Sequence, residues 1–318
     1  MARYLDPKND LTFKRIFGEN PDLLISFLNA LMPLAPGQLI ESVEYLSPEQ
    51  VPDNPAKKNS IVDVRCKDSF GRQFIVEMQM CWNDSFSNRL VFNAAKAYVR
   101  QLNIGEDYDL LQPVYGLGIT NDVFDHKTPE FYHHYQTINR KNTDEVIKGL
   151  EFVLVELPKF KPERWVERKM AVLWLRFLKE VTEKARSISE ALTSDENIGK
   201  AVDLCEVGAY TPEELELYEK YWDIVSTEKA MISSSLKKGR AEGLAEGEVI
   251  GLQKGREKGK AEGRAEGEAI GLQKGREEGK AEAMREMVLN ARRGGHSVAQ
   301  IQTITGLRKE EIEEILRQ

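Results

Sequence analysis

An α/β domain with a helical C-terminal extension is predicted by three observations. Apolar residues near the start recur at helical spacing, several short strand-like segments follow, and the C-terminal third is composed of helix-forming repeats. At 318 residues the chain is long enough for one principal core plus appendages.

In order, "LTFKRIFGENPDLLISFLNALM" places Phe13, Phe17, Leu24, Phe27, Leu28 and Leu31 three and four residues apart, which predicts helix with a break at Gly18 to Pro21. "LIESVEYLS", "SIVDVRCKD" and "RQFIVEMQM" are short, β-branched or aromatic, and separated by Pro, Asn, Asp and Gly; they predict three strands. A helix is expected over 83–102, a loop at "GEDYDLLQ", and a buried strand in the nearly continuous apolar run "PVYGLGITNDVF". Further strands are expected around 131–139 and 152–157, before Pro158 and Pro162 interrupt the pattern. From 164 to 184 the pattern is helical, with Val166, Met170, Leu173, Phe177 and Leu178 able to face a core.

Beyond residue 236 the composition changes. From Gly239 to Gly279 a glycine stands at every fourth position, and "AIGLQKGREEGKAE" nearly copies "VIGLQKGREKGKAE". Eleven glycines inside a helix cost on the order of 10 kcal/mol relative to alanine, so a stable lone helix is not expected here. A mobile or weakly helical spacer is the first expectation, a dimerising stalk the second, because a four-residue glycine stripe suits close right-handed helix crossings. A homodimer or higher homo-oligomer therefore stays open. Residues 284–318 look like three short helices, with Ser297 and Gln300 spaced for a capping box. A helix-turn-helix unit and a structural mini-bundle both fit, and Glu310, Glu311, Glu313 and Glu314 on the last helix favour the bundle.

Lys and Arg number 45 against 52 Asp and Glu, a net charge of −7, so any nucleic-acid site has to be local. No stretch approaches the ~18 apolar residues of a membrane span, and "MARYLDPKND" lacks the apolar run of a leader, so a soluble cytoplasmic protein is expected. Cys66, Cys81 and Cys205 are odd in number and lack CxxC spacing, which argues against disulfides and a zinc ribbon and for core residues. His126, His133, His134 and His296 form no zincin-type spacing.

Glu77 and Gln79 interrupt the strand "RQFIVEMQM". Alternation places Ile75, Glu77 and Gln79 on one face, and in the preceding strand it places Ile61, Asp63 and Arg65 together, with Val62, Val64 and Cys66 opposite. If "KDSFGR" makes a hairpin turn centred on Phe70, Asp63 lies directly opposite Glu77, with Cβ atoms about 4.5–5.5 Å apart. Two such carboxylates repel unless a cation sits between them, and Mg²⁺ suits a couple of carboxylates completed by waters and phosphate oxygens. An ordinary hairpin with a polar outer face fits the same alternation. On the following helix, Arg89, Asn93, Lys96 and Arg100 recur as a polar, largely basic stripe that could grip phosphates or face solvent. Tyr98 shares the stripe of Val91, Ala95 and Leu102 and is expected in the core. Asp10 and Lys14 are four apart on the first helix and share a face.

"DPKNDLTFKRIFG", "LLISFLNALM", Asp63, "IVEMQM", "RLVFNAAKAYVRQLNIGEDYDLLQPVYGLGI" and "FVLVELPKF", in that order, resemble the PD-(D/E)XK nuclease family transposases, also described as the Rpn or recombination-promoting nuclease group. The resemblance covers roughly residues 1 to 180. It implies a restriction-endonuclease-like core, a mixed sheet flanked by helices, and a Mg²⁺-dependent DNA endonuclease associated with recombination or transposition, Mn²⁺ or Ca²⁺ being substitutes in vitro. It implies Asp63 and Glu77 as metal ligands, Gln79 in the motif's Lys position, and a site role for Asp10 and Lys14. Arg89, Lys96 and Arg100 are the candidates for DNA-backbone contact. Gln79 departs from the named motif: it can hydrogen-bond but brings no charge and takes no proton. A catalytically inactive DNA-binding or scaffold protein on the same fold is the competing expectation. The expected organisation is a nuclease-like core over 1–160, a helical extension over 161–236, the glycine repeat over 237–283 and the small helical unit over 284–318.

Overall fold

The computed structural model describes residues 4–50, 60–164 and 169–317; Val166 lies outside the described residues. Two compact units, Met1–Ser233 and Ser234–Gln318, divide the chain.

The first unit begins with α1 (Asp10–Glu19) and α2 (Pro21–Leu31). Asn9 caps α1 by accepting from the Leu11 N–H, and Pro21 starts α2 where its missing N–H costs nothing. β1 (Val43–Tyr45), β2 (Glu49–Gln50), β3 (Ser60–Ile61), β4 (Val64–Asp68) and β5 (Gln73–Gln79) follow, then α3 (Ser85–Val99) and β6 (Val114–Thr120). After β7 (Tyr132–Asn139) and β8 (Asn142–Glu156) come α4 (Lys169–Glu180), α5 (Glu190–Thr193), α6 (Glu196–Asp203) and α7 (Pro212–Arg293).

Among the described residues, a mixed six-stranded sheet has the order β1-β4-β5-β6-β8-β7, with β2 and β3 pairing separately. β5, β6 and β8 run parallel, while the remaining pairs are antiparallel. Strand alternation gives the sheet two apolar faces. Phe74, Val76, Leu117, Ile119, Val153 and Val155 pack with Phe13, Phe17 and Phe27 of α1 and α2 and Trp174 of α4. On the other face Ile75, Val114 and Leu154 lie under Phe86, Leu90 and Ala94 of α3. Gly116 and Gly118 of β6 let α3 approach, since a Cβ at Gly118 would stand 2.7 Å from Leu154 and 3.0 Å from Phe86. The mixed sheet flanked by helices is the fold expected above.

β8 begins at Asn142, ten residues before the expected strand. Residues 142–148 are exposed and pair only with β7, so neither face carries the apolar alternation that would reveal them. The three cysteines are buried and free, as expected of core residues, and burial pushes the Cys66 thiol up to about 12.

The entry to α1 is tied to elements far along the chain. Buried Lys8 pairs with Asp6 at 2.7 Å and donates to the Leu178 carbonyl at 2.8 Å. The Asp6 N–H donates to the Tyr218 hydroxyl at 2.9 Å, and Asn9 donates to the Tyr218 carbonyl at 3.2 Å. Lys8→Met would leave the Asp6 carboxyl buried without its cation and is expected to destabilise the protein by about 3 kcal/mol at pH 8. Chemical denaturation checks this; an unchanged midpoint would reject the clamp.

In the second unit the glycine repeat is helical throughout, within α7, despite the helix cost of its glycines. Ala, Glu, Lys, Arg, Leu and Gln between the glycines are strong helix formers, and Gln253–Glu257 and Gln273–Glu277 hydrogen bonds bridge i,i+4. A Cβ at any glycine from Gly239 to Gly279 would meet nothing within 4 Å. α8 (Val298–Thr305) and α9 (Lys309–Arg317) pack with the end of α7 through Val288, Ile301 and Ile312. The capping box of Ser297 and Gln300 forms, and Gly306 ends α8 at φ 73°.

Candidate active site

The β4–β5 hairpin sets the site. Val64 faces Val76 and Lys67 faces Gln73, so the register is centred on Phe70, and the ladder ends one residue short of Asp63 and Glu77. The turn itself holds that register. Asp68 Oδ1 accepts from the N–H groups of Phe70 and Arg72 at 3.0 and 2.9 Å, and Gly71 takes the left-handed φ of 80°.

Asp63 lies in a bend just outside β4. The expected grouping of Val62 with Val64 and Cys66 does not hold across this bend: Val62 packs under α3, while Val64 and Cys66 join the opposite face. The bend frees the Asp63 carboxylate to fold over the end of the ladder, where Oδ2 accepts from the Met78 N–H at 2.7 Å. That N–H lies beyond the last β4 rung and would otherwise lack a partner.

Glu77 is 4 % exposed, so its carboxylate needs buried donors. α3 supplies them. Asn93 Nδ2 donates to Oε1 at 2.8 Å and Arg89 Nε to Oε2 at 3.2 Å. Arg89 Nη2 also donates to Gln79 Oε1 at 2.7 Å, and Gln79 Nε2 donates to the Cys81 carbonyl at 2.8 Å. The cation that Gln79 lacks thus arrives from a helix, in Arg89.

α1 closes the other side. Lys14 pairs with Asp10 at 2.8 Å. Burial pushes the Asp63 carboxyl up to about 7; the carboxylates of Asp10 and Glu77 push the same way, while the Met78 N–H and Lys14 oppose. The charges of Asp10, Lys14 and Glu77 thus all act on the Asp63 carboxyl. Tyr221 of α7 belongs to the same neighbourhood: burial raises its phenol pKa, and the charges of Asp63 and Asp10 push it further the same way. Sequence reasoning missed Tyr221, although Tyr218, Tyr221, Trp222 and Val225 stand at helical spacing in a charged stretch.

The basic stripe on α3 is divided. Arg89 and Asn93 turn to Glu77, whereas Lys96 donates to the Gln50 carbonyl and to Ser60 Oγ, and the charge of Arg100 acts on Arg65. The buried face of α3 is Phe86, Leu90, Asn93, Ala94 and Ala97; Val91 is exposed and Tyr98 only partly buried. The difference from the expected apolar stripe has a physical cause, since the face turned to the sheet must also satisfy Glu77.

The donor set fits a small hard cation. Asp63, in the bend before β4, and Glu77, on β5, repel each other, and the buried Oδ1 of Asn93, whose Nδ2 donates to Glu77, has no hydrogen-bond partner among the described residues. Among the described residues no three His, Cys, Asp or Glu side chains converge, so the protein's share is the carboxylate pair, which suits Mg²⁺ completed by waters and phosphate oxygens. His133 and His134 are engaged by Glu156 and Glu151. No helix among the described residues is long and apolar enough to cross a membrane.

The family described as PD-(D/E)XK nuclease family transposase matches residues 7–235. No curated protein and no solved structure matches the chain.

Proposed function

The chain belongs to the PD-(D/E)XK nuclease family transposases, and from that membership and the carboxylate pair we infer that it is a Mg²⁺-dependent DNA endonuclease acting in recombination or transposition. The observation that supports this reading is the Asp63 carboxylate folded onto the Met78 N–H at the open end of the hairpin, where the charges of Asp10 and Glu77 act on it.

Asp63 and Glu77 hold the ion. When bound, Mg²⁺ supplies a low-pKa water as nucleophile and neutralises charge developing on the phosphodiester. Asn93 and the Met78 N–H orient the two carboxylates. Arg89, 41 % exposed at its side chain, can turn from Glu77 to a non-bridging phosphate oxygen while remaining near Gln79. Gln79 orients water or phosphate through its amide. Lys14 holds Asp10 and adds positive charge, and Arg100 extends the contact along the DNA backbone.

One observation favours the inactive reading: both oxygens of Glu77 already have donors, and Arg89 does for its charge what an ion would do. A plasmid-nicking assay separates the two. Activity is expected with Mg²⁺, none with EDTA, and a loss of at least about a hundredfold in Asp63→Ala. Activity surviving that substitution would reject the site; inactivity of the wild type with Mg²⁺ and Mn²⁺ would leave the scaffold reading.

A further inference from the structure

Three residues past Gln79, before the chain enters α3, stands Trp82. Its backbone N–H donates to Asp122 Oδ2 at 3.1 Å, which joins this turn to the segment after β6. The indole stacks on Phe124 with ring centroids 4.3 Å apart and planes at 26°, and Phe124 leans on His133 at 4.9 Å. Phe86 meets Trp82 edge-on at 5.6 Å, and the Arg89 guanidinium lies 5.3 Å from the Phe86 ring. The row of rings is therefore continuous, through Phe86 and Arg89, with Glu77 and Gln79.

Trp82, Phe124 and His133 remain partly exposed, whereas Phe86 beneath them is fully buried. Their support is rigid. Glu156, fully buried at the end of β8, accepts from the Phe124 N–H at 2.7 Å, contacts His133 Nε2 at 2.9 Å and pairs with Lys159 at 2.7 Å. An aromatic surface fixed in this way loses little freedom when something planar lies on it.

We propose that Trp82, backed by Phe124, is a stacking platform for an unpaired nucleobase beside the scissile phosphate. The preferred substrate class is then DNA with an unstacked nucleotide at the cleavage position, such as a gap, a frayed end or a single strand, in preference to continuous duplex. This rests on the endonuclease reading of the Asp63–Glu77 site. A duplex offers base edges, while an unpaired base offers a face, and stacking on an aromatic side chain tolerates any sequence. Stacking also suits this chain's charge. With a net charge of −7, counterion release is a weak source of affinity, whereas stacking needs no charge.

The test uses the full-length protein and an oligonucleotide with 2-aminopurine either in a one-nucleotide gap or in the matching duplex, with Ca²⁺ or EDTA to suppress cleavage. Affinity is read by anisotropy and stacking by quenching of the probe. The gapped DNA is expected to bind about tenfold more tightly and to be quenched. Trp82→Leu, which keeps apolar volume, should remove both effects, and Trp82→Phe should keep most of them. Equal affinity for the two DNAs, or a gap preference that survives in Trp82→Leu with an unchanged melting temperature, would overturn the platform. If Trp82→Leu melts lower, Phe124→Leu decides: loss of quenching supports the platform and retention overturns it. Failure of the endonuclease reading is distinguishable, because Asp63→Ala abolishes only cleavage; a wild type that cleaves but shows no gap preference rejects only the platform.

Discussion

Metal-free Asp63→Asn protein is expected to be more stable than the wild type at pH 8 and to match it near pH 4. The Asp63 carboxyl is pushed from 3.8 to about 7, first by burial and then by the charges of Asp10 and Glu77. The folded state thus keeps a proton that the unfolded chain releases. Stability attributable to this group is complete below 3.8, falls as pH rises, and is gone above about 7. A tenfold difference in proton affinity between the folded and unfolded chain is worth about 1.4 kcal/mol, so the variant should gain on the order of a few kcal/mol at pH 8. For a unit of this size that raises the melting temperature by about 3 °C or more. Asparagine keeps an acceptor for the Met78 N–H, so the hairpin end stays satisfied. Millimolar Mg²⁺ should stabilise the wild type, by about 2.7 kcal/mol when present at a hundred times its dissociation constant, and leave the variant unaffected. Equal pH–stability curves for the two proteins would show that the carboxylates are not in conflict, and the case for a cation between them would fall.

Gly118→Ala is the second large effect. Gly118 pairs with Glu77 on β5 and Leu154 on β8, in the groove that receives Phe86. A methyl group 2.7 Å from Leu154 and 3.0 Å from Phe86 forces α3 outward, at a cost of about 1–3 kcal/mol. α3 carries Arg89 and Asn93, so their bonds to Glu77 and Gln79 lengthen together. A misplacement near 1 Å is enough to reduce turnover about a hundredfold. Gly116→Ala presses the same helix: its methyl group would meet Phe152 and Leu90, which stands on α3 between Arg89 and Asn93. A comparable loss of turnover is expected there, and full turnover in both variants would show that the seating of α3 does not set the geometry at Glu77.

The reach of the sequence differs from residue to residue. Period-two alternation and a turn centred on Phe70 are enough to bring Asp63 and Glu77 to the open end of one hairpin, because a hairpin's register follows arithmetically from its turn. The capping box at Ser297 is readable for the same reason, being local. Arg89 and Asn93 read as members of a basic stripe because their inward turn depends on a partner sixteen or fewer residues back but on another element. A lone polar residue on a helix carries no sign of the carboxylate it will meet. Tyr221 and the start of β8 escape for opposite reasons, one buried by a tertiary contact and the other exposed on both faces. The nuclease-like fold itself comes from ordered motif blocks over roughly residues 1 to 180, within the 7–235 that the family matches, a level at which alternation alone is silent.

The clamp on α1 also bears on the order in which the protein is made. A nascent chain that has reached residue 156 already contains the whole sheet, with Asp63, Glu77, Gln79 and Arg89 among its residues. It does not yet contain Leu178, which accepts from Lys8, or Tyr218, which accepts from the Asp6 N–H and from Asn9 and itself donates to Glu183. Contacts separated by some two hundred residues close late. The anchoring of the α1 entry therefore waits for the first turns of α7, long after the last strand of the sheet has been made.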